Sequence, residues 1–330
     1  MDRREKVFVD FIKKWMLIIG IVAGAAMYLV YHAIPALHPA GSALEATVRF
    51  LQPVLLFAML FLSFCKIAPN QLRPHRWQGW LLLVQSVLFV GLALLLAFVP
   101  GIPYRIGLES LMLCLICPTA TACAVVTGKL GGDMAGVVTY TILINLVVSV
   151  LVPLFVPFIH PMEGLNFITA SCRILAKVFP LLILPCLLAW LVRYLLPTLH
   201  AWLLRYTDLS FTIWAISLML AILMSTRAIV HSGEGPVILV ETAVASLAAC
   251  IFQFFIGKKI GARYGQRITA GQAMGQKNTV FGIWMGYTFL DPIVSVACGF
   301  YSIWHNVYNT WQLNNVRKER EEADKLFEEK

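Results

Sequence analysis

The sequence predicts an all-α membrane protein with ten transmembrane helices in two inverted five-helix repeats, the fourth and ninth helices broken. Three observations predict it. The 330 residues are 59% hydrophobic and 13% charged, against roughly 45–50% apolar and about 25% charged in soluble domains, and mean hydropathy is +0.79. Ten apolar stretches separate at turn and breaker residues. Finally, the most polar interruptions of those stretches fall at corresponding places in the two halves of the chain.

The expected spans are 15–34, 47–67, 77–100, 105–129, 134–158, 167–195, 208–230, 236–260, 267–289 and 291–313. A bilayer span needs about 20 apolar residues, so a chain of this length holds ten with short loops and little else. The joints are marked by Pro35 and Pro39, Pro69 and Pro74, Gly101 with Pro103, Gly131-Gly132, Pro161, Pro197, Gly233 and Gly235, and Gly261 with Gly265. Leu290-Asp291-Pro292 separates the last two spans. Arg3, Arg4, Lys6, Lys13 and Lys14 precede the first span as they precede a signal peptide. No small-x-small cleavage site follows, however, and the run is long enough to span, so it reads as a retained helix. The organisation is then a segment 1–14, a first repeat 15–158, a second repeat 167–313 and a charged tail 314–330. Glu321 and Lys325 in that tail stand at i,i+4 spacing, as on a solvated helical end.

The net charge of +9 does not point to nucleic acid, because no basic stripe with interleaved aromatics accompanies it. It points to topology. With the N-terminus cytoplasmic, twenty Lys/Arg fall on that side and four (Arg49, Arg105, Arg173 and Arg227) on the other, the bias that cytoplasmic loops show. Both termini are expected in the cytoplasm, with the chain a multi-pass protein of the plasma (inner) membrane. The eight cysteines, at 65, 114, 117, 123, 172, 186, 250 and 298, lie in or against apolar segments and read as small buried residues. His32, His38, His160, His200 and His231 are scattered without metal spacing. No metal site and no cofactor are expected. The bilayer is the one large partner implied, and oligomeric state is silent.

Function is carried by the exceptions to apolarity. The fourth span holds Cys117-Pro118-Thr119-Ala120-Thr121-Ala122-Cys123 at its centre, where Pro118 removes a backbone donor and small or hydroxyl neighbours offer substitutes. The ninth holds Gly275-Gln276-Lys277-Asn278-Thr279, and an unpaired charge at that depth must face protein, water or a ligand. Paired interruptions in corresponding spans point to a transporter site between inverted repeats. Gln85 precedes Thr121 by 36 residues and Glu241 precedes Lys277 by 36, placing one polar group before each break. Thr119, Thr121, Cys123, Lys277, Asn278, Thr279 and, in the tenth span, Asn306 are candidate substrate contacts. Gln85, Thr141, Glu241, Gln276, Lys277 and His305 are candidates for a coupling or cation site. His305 is placed to hydrogen-bond a neighbouring broken helix, Lys177 to snorkel or pair, and Glu109 near a span end where its charge costs little.

At these residues the chain resembles the bile acid:sodium symporter family in its bacterial ten-span form. Gly275 to Thr279, GQKNT, resembles the family segment GMQNS. Tyr301 to Asn306, YSIWHN, resembles FSVWHN at a compatible distance. Cys117 to Thr127, CPTATACAVVT, resembles CPGGTASNVMT, and LFAMLFLSFCKI, ending at Ile67, follows the second-span pattern. Gln85 matches a third-span glutamine. The resemblance implies a panel domain from spans 1, 2, 6 and 7 and a core domain from spans 3–5 and 8–10, whose unwound helices cross at the midplane. It also implies a small organic anion bound where core meets panel, moved by alternating access. Trp190, Phe211, Trp214 and Met219 lie in the panel spans.

The departures concern the cation. A Ser-Asn pair of the family stands here as Cys123-Ala124 and a fifth-span serine as Val137, while a threonine survives as Thr141. The family's ninth-span glutamate falls at Ala273 and its glutamine at Lys277. Sodium prefers hard oxygen ligands, and an ammonium a few ångströms away repels it. The expectation is an organic-anion transporter in which Lys277 takes the cation's place, near Glu241, Gln85 and Thr141, with Na+ or H+ the possible coupling ion. The alternatives are a sodium-coupled symporter with an altered site and a non-transporting sensor or scaffold on the same fold. An enzyme is not expected, since no HExxH, aspartate-rich diphosphate motif or GxSG is present.

Overall fold

The computed structural model describes residues 3–206 and 209–328, with side chains from 15 onward except 211, 320 and 323–328. Among the described residues every regular element is helical. In chain order these are α1 (Arg3–Ala33), α2 (Gly41–Cys65), α3 (Arg76–Phe98), α4 (Arg105–Ile116), α5 (Cys123–Lys129), α6 (Met134–Ile159), α7 (Phe167–Leu195), α8 (Pro197–Arg205), α9 (Leu209–His231), α10 (Pro236–Ala262), α11 (Arg267–Gly275), α12 (Thr279–Phe289) and α13 (Val296–Glu328), with short 3-10 turns before α2, α3 and α13.

Among the described residues seven helices are long and apolar enough to cross a bilayer: Trp15–Ala33, Pro35–Cys65, Arg76–Phe98, Met134–Ile159, Phe167–Leu195, Thr212–His231 and Pro236–Ala262. The other three expected spans take a different form. The fourth divides into α4 and α5 and the ninth into α11 and α12, so no half alone reaches span length. The tenth is continuous but polar, and α13 carries on through the expected tail to Glu328. The Glu321–Lys325 pair falls partly outside the described side chains, while Arg317 pairs with Glu321 at 3.3 Å on the same helix.

Proline alone does not explain the breaks. Pro53, Pro153, Pro157, Pro180 and Pro185 all sit inside continuous helices. A membrane helix tolerates a missing donor where neighbours re-satisfy the freed carbonyl. Pro118 differs in having a second unwound segment beside it.

The helices pack in two groups. α1 lies along α9, and α2 against α7 and α9; α3 packs on α4 and α6, and α10 on α11, α4 and α13. The groups meet where α6 joins α7 and where α9 touches α12 and α13. Glycines set the closest approaches. A Cβ on Gly24 of α1 would lie 2.4 Å from the Met219 carbonyl of α9, and one on Gly257 of α10 would lie 2.6 Å from the Ala270 carbonyl of α11.

Several polar residues are placed otherwise than the sequence suggests. Glu109 is 2% exposed, receiving Arg105 Nε at 3.0 Å and lying 2.8 Å from His160 Nε2. Arg105 also donates to the Leu96 and Ile159 carbonyls, so the cluster ties the ends of α3 and α6 to the start of α4. His200 is buried and lies 2.8 Å from the Cys65 carbonyl, closing the end of α2. His32, His38 and His231 gather with Tyr28 and Tyr31, ring centroids about 6 Å apart. No metal-holding group of His, Cys, Asp or Glu occurs among the described residues. Cys172 is exposed and the other seven cysteines are buried. Lys177 is exposed, its ammonium 5.7 Å from the Phe289 ring centroid.

Gly257→Ala is expected to cost about 1–3 kcal/mol by overpacking, whereas Gly79→Ala, with nothing within 4 Å of its Cβ, is neutral or stabilising. Thermal unfolding of the two variants in detergent measures the difference.

Candidate functional site

The site is built where two chain segments stop being helical. α4 ends at Ile116 and Cys117 turns to an extended backbone, and the chain resumes as α5 at Cys123. α11 ends at Gly275, Gln276 is extended, and α12 begins at Thr279 with Asn278 as its N-cap, its side chain accepting from the Phe281 amide at 3.2 Å. The unwound segments pair as an isolated antiparallel bridge between Thr119 and Lys277. The Ala120 amide donates to the Gln276 carbonyl and the Asn278 amide to the Pro118 carbonyl, both at 2.8 Å. Thr119 Oγ1 adds a bond to the Ala273 carbonyl at 2.7 Å.

Flanking helices brace the bridge with glutamine and tyrosine. From α3, Gln85 donates to the Cys117 carbonyl at 3.3 Å and accepts from Tyr140 of α6 at 2.9 Å. From α10, Gln253 donates to the Cys114 carbonyl at 3.3 Å and to Tyr301 of α13 at 3.1 Å, and Tyr301 in turn donates to the Gly275 carbonyl at 2.8 Å. The first segment thus has carbonyls held by glutamines from two neighbours, Cys117 by Gln85 and Cys114 by Gln253, while the second break has its Gly275 carbonyl held by Tyr301. Tyr140, Gln253 and Tyr301 were missed in the sequence, although a lone glutamine in the eighth apolar stretch was the available signal.

Lys277 lies at the centre, 1% exposed, and its Nζ has no hydrogen-bond partner. The ionisable groups that its charge senses are the thiols of Cys117, Cys114 and Cys123, with no carboxylate among them. Asn278 Nδ2 is likewise buried without a partner. Because Asn278 Oδ1 is committed to the helix cap, the amide orientation is fixed and Nδ2 is the free donor. Gln276 Oε1 and His305 Nδ1 are also buried and unpartnered.

The other expected residues divide. Cys123 is buried, its sulfur 3.9 Å from Thr127 Oγ1; Thr279 is buried at the head of α12, and Thr121 is half-buried between the half-helices. Asn306 is half-buried and spends its amide on the Ser302 carbonyl of its own helix. Thr141 donates to Val137 one turn back. His305 stacks edge-on against Tyr301, centroids 5.6 Å apart; it is Tyr301, not His305, that bonds the broken helix. Glu241 is not a partner of Lys277. It accepts the Gly107 amide at 2.6 Å, near the start of α4, because it stands only in the second turn of α10. Trp190, Trp214 and Met219 are half-buried, and the Phe211 side chain lies outside the described residues.

Residues 53–234, more than half of the chain, match the sodium bile acid symporter family. The chain belongs to that family. As a member of the sodium bile acid symporter family it is an integral, multi-pass membrane protein of the transporter class, with a small organic molecule as the kind of cargo the family implies. The match takes in Gln85, the first break and Thr141, and stops before Lys277. No curated protein matches the chain.

Thr119→Val, nearly the same shape without the hydroxyl, is expected to cost about 1 kcal/mol by losing the bond to Ala273. Urea or thermal unfolding in detergent tests it, and an unchanged midpoint would remove the hydroxyl from the bridge.

Proposed function

We propose that the protein is a secondary transporter of a small organic anion, and that the Lys277 ammonium stands where relatives hold a coupling cation. The observation that carries this reading is the pair of buried, unpartnered donors, Lys277 Nζ and Asn278 Nδ2. A buried ammonium without a partner is costly. A carboxylate arriving between these two donors supplies the missing charge and acceptors together. Thr119, Thr121, Cys123, Thr279 and Asn306 complete the proposed anion contacts.

Support for a site without sodium comes from its ligands. Ala273 brings no side-chain oxygen, and the Gln85 amide oxygen is taken by Tyr140. Hard-cation coordination requires several oxygens, and here the approach is also opposed by a positive charge. Nor does the geometry favour proton exchange between Lys277 and Glu241, since Glu241 is held at Gly107. Gln276, Thr141 and His305 then shape the site rather than coordinate an ion.

In the ten-span, two-repeat reading, α4–α5 and α11–α12 are spans four and nine, both termini are cytoplasmic, and the panel comprises α1, α2, α7 and α9. Alternating access is movement of that panel against the remaining helices. At one end the two are tied: Arg227 of α9 binds Glu45 of α2 at 2.7 Å and reaches the Tyr287 hydroxyl of α12, and the Arg49 guanidinium stands 5.4 Å from the Tyr287 ring centroid. In this orientation the tie closes the outer end, and it must part when that end opens.

Lys277→Met is expected to leave folding intact or stabilise it by about 1–3 kcal/mol, since an unsatisfied buried charge is removed, while uptake of organic anions falls to background. Thermal unfolding and proteoliposome uptake on the same preparations check both halves. Destabilisation would show that Lys277 is structurally paired.

Uptake by the unaltered protein is expected to persist when choline replaces sodium. Glu241→Gln, which still offers an acceptor to the Gly107 amide, is expected to change uptake less than threefold. A strict sodium requirement would overturn the lysine substitution, and loss of uptake in Glu241→Gln would restore that residue to the coupling site.

A further inference from the structure

The outward surface of α10 and α13 holds a groove of about 800 Å3, lined by no residue of the bridge itself and by none of α1, α2, α7 or α9. Its length runs along α10 from Leu247 to Ala262, a rise of about 22 Å. That is the depth of one leaflet of a bilayer with a hydrocarbon core of about 30 Å, together with its interfacial zone. The two ends differ in chemistry. Leu247, Ile251 and Phe255 make one end apolar and outward-facing, whereas Lys258, Lys259 and Arg267 gather at the other.

The cationic end is organised. Lys258 Nζ donates to the Tyr308 hydroxyl and to Gln312 Oε1, both at 2.7 Å, and Lys259 lies over the Phe255 ring at 5.9 Å. Tyr308 and Trp311 stack with centroids 5.6 Å apart at the same level, the ring types that settle at headgroup depth. Among the described residues, none of the three cations is paired with a carboxylate. A second protein helix would leave these charges facing apolar surface. An amphiphile with an anionic head and a hydrocarbon chain satisfies both ends.

We infer that this groove is a binding site for an anionic phospholipid of the bilayer, its phosphate against Lys258, Lys259 and Arg267 and one acyl chain along Leu247, Ile251 and Phe255. The site has a structural connection to the bridge. Phe254, also in the groove wall, fills the space beside Gly275, where a Cβ would lie 2.4 Å from its ring. The lipid chain therefore backs the residue on which α11 ends. The inference does not depend on what is transported.

The test is native mass spectrometry of the full chain in detergent, titrated with dioleoyl phosphatidylglycerol or dioleoyl phosphatidylcholine. One phosphatidylglycerol is expected to stay bound under conditions that strip phosphatidylcholine. Lys259→Gln with Arg267→Gln, both exposed positions, is expected to weaken its retention about twentyfold. Unfolding midpoints in lipid-free detergent confirm that the double variant is folded. Equal retention of the two lipids, or an unweakened double variant, overturns the site. So does displacement of the lipid by equimolar glycerol phosphate, which would make it a site for a free phosphate. A dimer that excludes phosphatidylglycerol would assign the groove to a second copy and overturn it as well.

Discussion

Everything at the centre of this molecule follows from the cost of an unpaired peptide group in hydrocarbon. Two helical segments give up their own hydrogen bonds in the buried interior of the protein, and neither break would survive alone. Each is satisfied by the other, through the bonds from Ala120 to Gln276 and from Asn278 to Pro118. The carbonyls of Ala273, Cys117, Cys114 and Gly275 are taken by Thr119, Gln85, Gln253 and Tyr301 respectively. Pro118 is thus permitted to end a helix where five other prolines only sit within one. What the arrangement obtains is a buried cation on a paired, non-helical backbone, which continuous helices do not offer.

That cation is also the least stabilised group in the site. Lys277 is enclosed, lacks a carboxylate and has no hydrogen-bond acceptor, while Glu241, which the sequence placed near it, is engaged elsewhere. Glu241 holds the Gly107 amide, and Glu109 serves Arg105 and His160. Among the described residues Glu109, buried as deeply as Lys277, is met by cationic or neutral nitrogen partners in Arg105 and His160. The unpartnered lysine coincides with the bridge, which is why the proposed function rests on an anionic ligand rather than on an internal ion pair.

Much of this was legible in the sequence, because it depends on composition. Apolar runs long enough to span and polar interruptions at costly depth leave marks that no folding detail erases, and both breaks fall where Pro118 and Lys277 placed them. Pairings were less legible. The equal 36-residue spacings of Gln85 and Glu241 suggested equivalence, but the two halves of the chain have helices, loops and breaks of unequal length. Gln85 stands 13 residues before the end of α3, Gln253 9 before the end of α10, and Glu241 21. Counting along the chain pairs Gln85 with Glu241, whereas the α10 residue nearer to Gln85 in depth, and bonded beside the first break, is Gln253. His305, which the sequence offered as a partner for a broken helix, stands four residues from Tyr301 on one helix, and it is Tyr301 that reaches Gly275.

The last helix has a consequence of another kind. α13 contains 33 residues, a rod of about 50 Å, whereas a hydrocarbon core of about 30 Å takes only some 20 of them. In the ten-span reading, its final third then stands clear of the lipid as a continuation of the same helix that carries Tyr301. Anything fused to or grasping that stalk is held about 20 Å from the membrane surface and is coupled through unbroken helix to the residue that fastens the second break.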